Sequence, residues 1–234
     1  MPDLAHFTQS LAQEGFALVP SAISPETLAD LCTALAEPLH DDDRRRGGQR
    51  DVLDRVPEVQ SLASSEPVRR LAEAVLGSGC FTVRALFFDK TPRANWKVPW
   101  HQDLTIAVRE RREVAGFGPW TTKAGATHCH APRELLERML SLRIHLDDCA
   151  ADNGPLRVIA GSHRAGILSA TQIDALKTRP ESVCTAQRGE VLAFHPLLLH
   201  ASSPAVRPGH RRVLHLELAS ASLPEGLSWR WQHA

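Results

Sequence analysis

No stretch of this chain offers the roughly 20 consecutive apolar residues that a membrane-spanning helix needs. The opening Met1-Pro2-Asp3-Leu4-Ala5-His6 lacks the basic and then apolar run of a secretory leader. An excess of either charge is missing as well, since 27 Lys and Arg stand against 27 Asp and Glu. That balance argues against nucleic acid or an anionic membrane surface as partner. Cysteines are five, widely spaced and without a Cys-x-x-Cys pair, which argues against a disulfide framework or a zinc ribbon and makes a reducing cytoplasm the expected location. There is no Gly-x-Ser-x-Gly elbow, no phosphate-binding Walker loop and no dinucleotide fingerprint. Gly161-Ser162-His163 does not rescue a serine hydrolase, because adjacent residues on a strand point apart.

What is present fits one large domain. The 234 residues are 43% hydrophobic and 23% charged, close to the globular norm and far from a disordered chain or a coiled coil. Residues 1–80 read as mostly helical. Ser24 before Pro25 caps a helix reaching about Leu35, and Ser65 before Glu66-Pro67 caps another that stops at Gly77. From Phe81 the pattern turns to short β-rich runs, at 81–88, 104–108, 142–146, 156–159, 191–194, 197–201 and 213–218. They are bounded by Gly, Pro or Asn and not separated by regular helices, as in an antiparallel sandwich or barrel. Helical pieces are expected at 132–140 and 171–177. Asp41-Asp42-Asp43 and Arg44-Arg45-Arg46 cancel one another in a solvated loop. Residues 109–130 show no clear period and read as a long covering loop. The whole is expected to be one domain over 1–234, with a β core at 81–220 and a loop insertion at 109–130.

Twelve histidines carry the chemistry. His101-Gln102-Asp103 is a His-x-Asp. On an extended segment its imidazole and carboxylate point the same way, and a distant third ligand would complete the two-histidine, one-carboxylate facial triad of non-haem iron(II). Alone the pair is common, and His145-Leu146-Asp147 is a rival inside an obvious strand, where Arg143, His145 and Asp147 share one face. Periodicity does not reject it, because the inner face of a barrel can be polar. The distal candidate is His200, with His195 as competitor. Arg211 opens a late strand and could clamp a dicarboxylate bidentately. Arg212, on the opposite face, replaces it if the register slips by one. His128-Cys129-His130 lacks further ligands at finger spacing.

The segments Phe88-Asp89-Lys90-Thr91-Pro92, Trp100-His101-Gln102-Asp103-Leu104, Arg143-Ile144-His145-Leu146-Asp147-Asp148, Asn153-Gly154-Pro155-Leu156, Ala160-Gly161-Ser162-His163 and His200-Ala201-Ser202 with Arg211 resemble, in order and spacing, the phytanoyl-CoA dioxygenase family. The resemblance runs from about residue 81 to 218. It implies a mainly β chain with flanking helices, built on a double-stranded β-helix (jelly-roll, cupin-like) core. It implies an iron(II)- and 2-oxoglutarate-dependent oxygenase using O2, with His101, Asp103 and His200 on the metal. Arg211 would hold the far carboxylate of 2-oxoglutarate, with Ser202 and Lys90 contributing, and His145-x-Asp147 would be structural. Ala160 stands where the family has proline. With Asp103 present, hydroxylation of a small metabolite is expected rather than halogenation. Substrate contacts are expected from Arg109, Phe117, Trp120 and His128. The alternative is a non-catalytic metal-binding β-barrel that keeps the ligands. An interaction module using Arg109-Glu110-Arg111-Arg112 is weaker, because such runs are usually just solvated.

Overall fold

A computed structural model describes residues 3–37, 48–224 and 226–232. The charge run at 41–46 lies outside the described residues. The order of elements is α1 (Leu4–Glu14), β1 (Phe16–Val19), α2 (Pro25–Ala34), β2 (Gly48–Gln49), α3 (Val52–Arg55), α4 (Pro57–Ala63), α5 (Glu66–Leu76), β3 (Phe81–Lys90), β4 (Val98–His101), β5 (Thr105–Val108), β6 (Trp120–Lys123), β7 (Ala126–His130), α6 (Arg133–Leu136), β8 (Met139–His145), β9 (Leu156–Val158), a 3-10 turn (Ser162–Ala165), α7 (Ala170–Leu176), β10 (Ser182–Cys184), β11 (Val191–Phe194), β12 (His200–Ser202) and β13 (Arg211–Ala219). No helix among the described residues is long and apolar enough to cross a membrane.

The strands form a double-stranded β-helix. One sheet runs β1-β11-β8-β13-β3-β2 and the other β10-β9-β12-β4, with antiparallel pairing throughout. Period 2 sorts the large sheet into two unlike faces. Ala85, Phe87, Leu142, Ile144, Leu214 and Leu216 point outward and are buried against Phe7, Leu11, Leu31, Val59, Leu62 and Leu71 of the N-terminal helices. The other face of the same strands carries Leu86, Phe88, Lys90, Arg143, Arg211, His215 and Glu217. These residues line a cavity closed on the far side by Val98, Leu156, His200 and Ser202 of the smaller sheet. The helices thus cover the apolar face, which leaves the polar one free to enclose a site.

Of the two expected serine caps only Ser24 makes its hydrogen bond; Ser65 stands at the start of α5 but its hydroxyl caps nothing. The Ser24 side chain accepts from the Thr27 N–H at 3.2 Å, with Pro25 in the first turn. Three expectations need correction. Residues 109–130 are not a structureless loop: β6 and β7 form a hairpin that pairs with β5. Its two turn residues, Ala124 and Gly125, both have positive φ (48° and 74°), the geometry of a two-residue hairpin turn. The expected helix at 132–140 is only Arg133–Leu136, and β8 already starts at Met139. The expected strand at 197–201 is mostly a turn, with Leu198 N–H donating to the His195 carbonyl at 2.8 Å, and β12 begins at His200.

Candidate metal and cosubstrate site

β4 and β12 are neighbours, and His101 and His200 are register partners. Their rings lie 4.2 Å apart between centroids. Asp103 sits just past the end of β4, where its N–H donates to the Pro196 carbonyl at 2.9 Å. Between them, Gln102 locks the bend. Its amide donates to the carbonyls of Gly166 (2.8 Å) and Leu197 (2.6 Å), and its oxygen accepts from the Leu168 N–H at 2.8 Å. The outcome is one ligand atom from each of His101, Asp103 and His200, all within 4.8 Å of one another.

The rings are preset for a metal. Nδ1 of His101 meets the Pro99 carbonyl at 2.9 Å and Nδ1 of His200 meets the Leu198 carbonyl at 2.8 Å. A carbonyl only accepts, so Nδ1 carries the proton in each ring and Nε2 presents its lone pair. Both Nε2 atoms face the Asp103 carboxylate, at 3.6 and 3.7 Å. Burial lowers the His200 imidazole to about 4, outweighing the Asp103 charge, so it stays neutral. Burial alone would raise Asp103, but the imidazoles of His200 and His101 beside it hold it well below the usual carboxylate range. Burial would lower His101, but the hydrogen bond and charge of Asp103 raise it above the ordinary imidazole value, so a metal would displace a proton there. Two imidazole nitrogens and one ionised oxygen donor fit iron(II).

The rivals fall elsewhere. Asp147 is bound by Arg212, whose Nε and Nη2 donate to its two oxygens at 2.8 and 2.7 Å. That settles which arginine faces the cavity, because Arg211 points to the opposite side and is buried. His145 is buried and held neutral, pushed down to about 3 by burial and by Arg143 and Arg211. His195 packs on His163, 5.3 Å away, and its Nδ1 accepts from the Leu197 N–H.

Next to the triad lies a cluster of three buried cations, Lys90, Arg143 and Arg211, in a cavity of about 100 Å3. Lys90 and Arg211 are cross-strand partners, and like charges directly opposite one another destabilise a sheet. None of the three has an ion pair among the described residues, and Nε of both Arg143 and Arg211 is buried with no partner. The other acid lining this cavity, Glu217, is already taken by Arg84. Lys90 donates to the Ser202 hydroxyl at 2.7 Å, and also to the Ser203 carbonyl. Burial, then Arg211 and Arg143, lower Lys90 to about 7. A buried cation cluster without an acid of its own can take up a small anion such as a carboxylate. Sequence reasoning missed Arg143. Its strand face was visible, but which way that face pointed was not.

Two expected results follow. Since the folded Lys90 is depressed to about 7 while the unfolded lysine stays near its ordinary 10.5, the unfolded chain binds more protons between those values. Stability of the ligand-free protein therefore rises with pH across that window. Affinity for a dianion moves the other way, falling as Lys90 loses its proton, and calorimetric titrations with 2-oxoglutarate at pH 6.5 and 8.5 would register it. Gly154 has φ +65°, and a Cβ there would meet the Ser203 carbonyl at 2.7 Å and Lys90 Nζ at 3.0 Å. Gly154→Ala is thus expected to cost about 1–2 kcal/mol from the left-handed backbone alone, and to weaken cosubstrate binding by displacing Lys90. A melting curve and the same titration would read the two effects.

The four expected substrate contacts line neither this cavity nor the one on the other side of Asp103. Arg109 is exposed. Phe117 and Trp120 pack on a hydrophobic cluster around Ile106 and Cys129. His128 is buried with Nδ1 on the Ala126 carbonyl, and burial lowers it to about 4. The hairpin residues that do line the second cavity are Lys123 and His130.

A double-stranded β-helix with two imidazoles and a carboxylate converging inside it is the hallmark of non-haem iron(II) oxygenases. Comparison with known families agrees: the model of phytanoyl-CoA dioxygenase (PhyH) matches residues 11–213, and the chain belongs to that family. The match takes in the helical N-terminal part as well as the β core. L-proline trans-4-hydroxylase of Streptomyces griseoviridis is 26% identical over 171 residues, 62% of this chain and 56% of that protein. The matched region thus spans little more than half the length of that relative. The crystal structure of AviO1 from Streptomyces viridochromogenes Tue57 superposes with a TM-score of 0.70 at 22% identity, covering 96% of this chain and 98% of that one. That of EctD from S. alaskensis, with 2-oxoglutarate and 5-hydroxyectoine, does so with a TM-score of 0.71 at 20% identity, covering 92% and 75%. At these identities the two structures speak for the fold.

Proposed function

We propose that this chain acts as one iron(II)- and 2-oxoglutarate-dependent dioxygenase domain that hydroxylates an unactivated C–H bond of a small metabolite. The observation that carries the reading is the pairing of the His101-Asp103-His200 convergence with the cations beside it, which have no acid of their own among the described residues. His101, Asp103 and His200 would hold iron(II). Arg211, with Lys90, Ser202 and Arg143, would hold the far carboxylate of 2-oxoglutarate. Iron(II) with 2-oxoglutarate would supply the activation of O2 that no side chain here offers, one oxygen atom ending in succinate, formed with CO2, and the other in the hydroxylated product. The chain's own part is orientation and exclusion. The backbone-anchored imidazoles keep the donor atoms fixed, and the cations fix the cosubstrate by its far end. The apolar walls Leu86, Phe88 and Leu156 keep water from the reacting centre. Five free cysteines support a cytoplasmic setting.

The test is anaerobic loading with iron(II), followed by O2 uptake and succinate measured with 2-oxoglutarate present. Succinate formed in step with O2 consumption is the expected result. Iron binding with no succinate, with or without candidate substrates, would leave the non-catalytic metal-binding barrel instead.

A further inference from the structure

On the side of Asp103 away from the Lys90 cluster lies a second cavity, of about 320 Å3. It touches His101 and Asp103 directly, so a molecule held in it lies next to the metal position. Its walls divide by chemistry. Leu86, Phe88 and Leu104 give an apolar side, and Arg50, Arg84 and Lys123 give a cationic one. Among the described residues its one lining carboxylate is Asp103, which the metal would claim. Arg84 is offset by Glu217 behind it. Gln102 also reaches the wall, but its amide is fully engaged by backbone. Lys123 has no hydrogen bond or ion pair of its own among the described residues. Its ammonium is lowered by burial and then by the repulsion of Arg84 and Arg50, against a smaller pull from Asp103 and Glu217. The cavity therefore has in Lys123 a cation with no acid of its own among the described residues, facing an apolar wall.

We infer that the substrate of this enzyme is a small organic anion, whose charged group is received by Lys123 while its hydrocarbon part lies along Leu86, Phe88 and Leu104 toward the metal. The inference takes from the oxygenase reading only the side on which substrate must lie. An amphiphile of this kind is held at both ends, which fixes the C–H bond presented to the centre. The hairpin β6–β7 thereby supplies the charged wall of the pocket.

The experiment is equilibrium dialysis of the full chain, loaded with iron(II) and 2-oxoglutarate under nitrogen, with mass-spectrometric readout. The probes are small amino, hydroxy, cyclic and aromatic carboxylic acids, each paired with its primary amide. A second arm pairs small phosphate and sulfate monoesters with the parent alcohols. A charge-assisted hydrogen bond is worth about tenfold or more in binding, so at least one anion is expected to bind about tenfold tighter than its neutral partner. The arm in which it does so distinguishes carboxylate from phosphate or sulfate. Lys123→Met, exposed on its hairpin and so without cost to the core, is expected to bring that preference close to unity while 2-oxoglutarate binding holds. Equal binding of every pair by the wild type overturns the inference. So does an anion preference that survives Lys123→Met. Succinate formation without anion preference would sink this inference alone, and anion preference without succinate would sink the oxygenase reading alone.

Discussion

His101→Ala is expected to abolish succinate formation and to weaken iron(II) binding by more than the roughly 10–100-fold that loss of an outer partner costs a metal site. The reasoning is direct. Asp103 and His200 alone give two donors, and the Asp103 carboxylate would lose one of the two imidazoles that hold it ionised. The His101 side chain is 37% exposed to the cavity, so its removal opens no sealed void, and the metal-free variant should melt close to the wild type. His200→Ala contrasts with it. That ring is buried against Phe194, 5.1 Å between centroids, and its loss should cost stability as well as metal. Iron titration beside a thermal melt separates the two. A His101→Ala protein that still binds iron tightly would dismantle the assignment of the triad.

Arg211→Met is expected to act in opposite directions on binding and on stability. Truncating one side of a buried charge pair costs about 2–5 kcal/mol, which weakens 2-oxoglutarate binding by tens to thousands of times. In the ligand-free protein the same change removes a buried cation that faces Lys90 and Arg143 without an acid of its own. Replacing buried charges by apolar groups is often neutral or stabilising, by about 1–4 kcal/mol. Melting temperature without ligand should therefore hold or rise while cosubstrate affinity collapses. A fall in both would mean that Arg211 is a structural residue.

Much of this site was legible before any fold was known, and the limits have physical causes. The His-x-Asp pair, the distal His200 and the strand-opening Arg211 are local patterns, readable along one stretch of chain. Spacing alone did not choose between His101-Asp103 and His145-Asp147, because both satisfy it; the family resemblance did. In the structure Asp147 pairs with Arg212, a long-range contact that turns Arg212 away from the cavity Arg211 lines. The role of Arg143 depends on which face of β8 meets the helices, a property of packing rather than of period. The hairpin β6–β7 escaped because its turn uses Ala124 at positive φ, where asparagine or glycine would have announced it. β1 escaped because Phe16–Val19 finds its partner in β11, far along the chain.

Both imidazoles are tethered through Nδ1 to the carbonyl two residues earlier, and this has a bearing on which ion the protein carries. A pocket whose rings are already aimed asks little rearrangement of whatever arrives, and nitrogen and oxygen donors of this kind favour nickel, copper and zinc over iron(II) in intrinsic affinity. Selection must then come from the supply of ions around the protein rather than from the pocket. Preparations purified without control of trace elements should emerge mismetallated and silent, and should wake once stripped and refilled with ferrous iron under nitrogen.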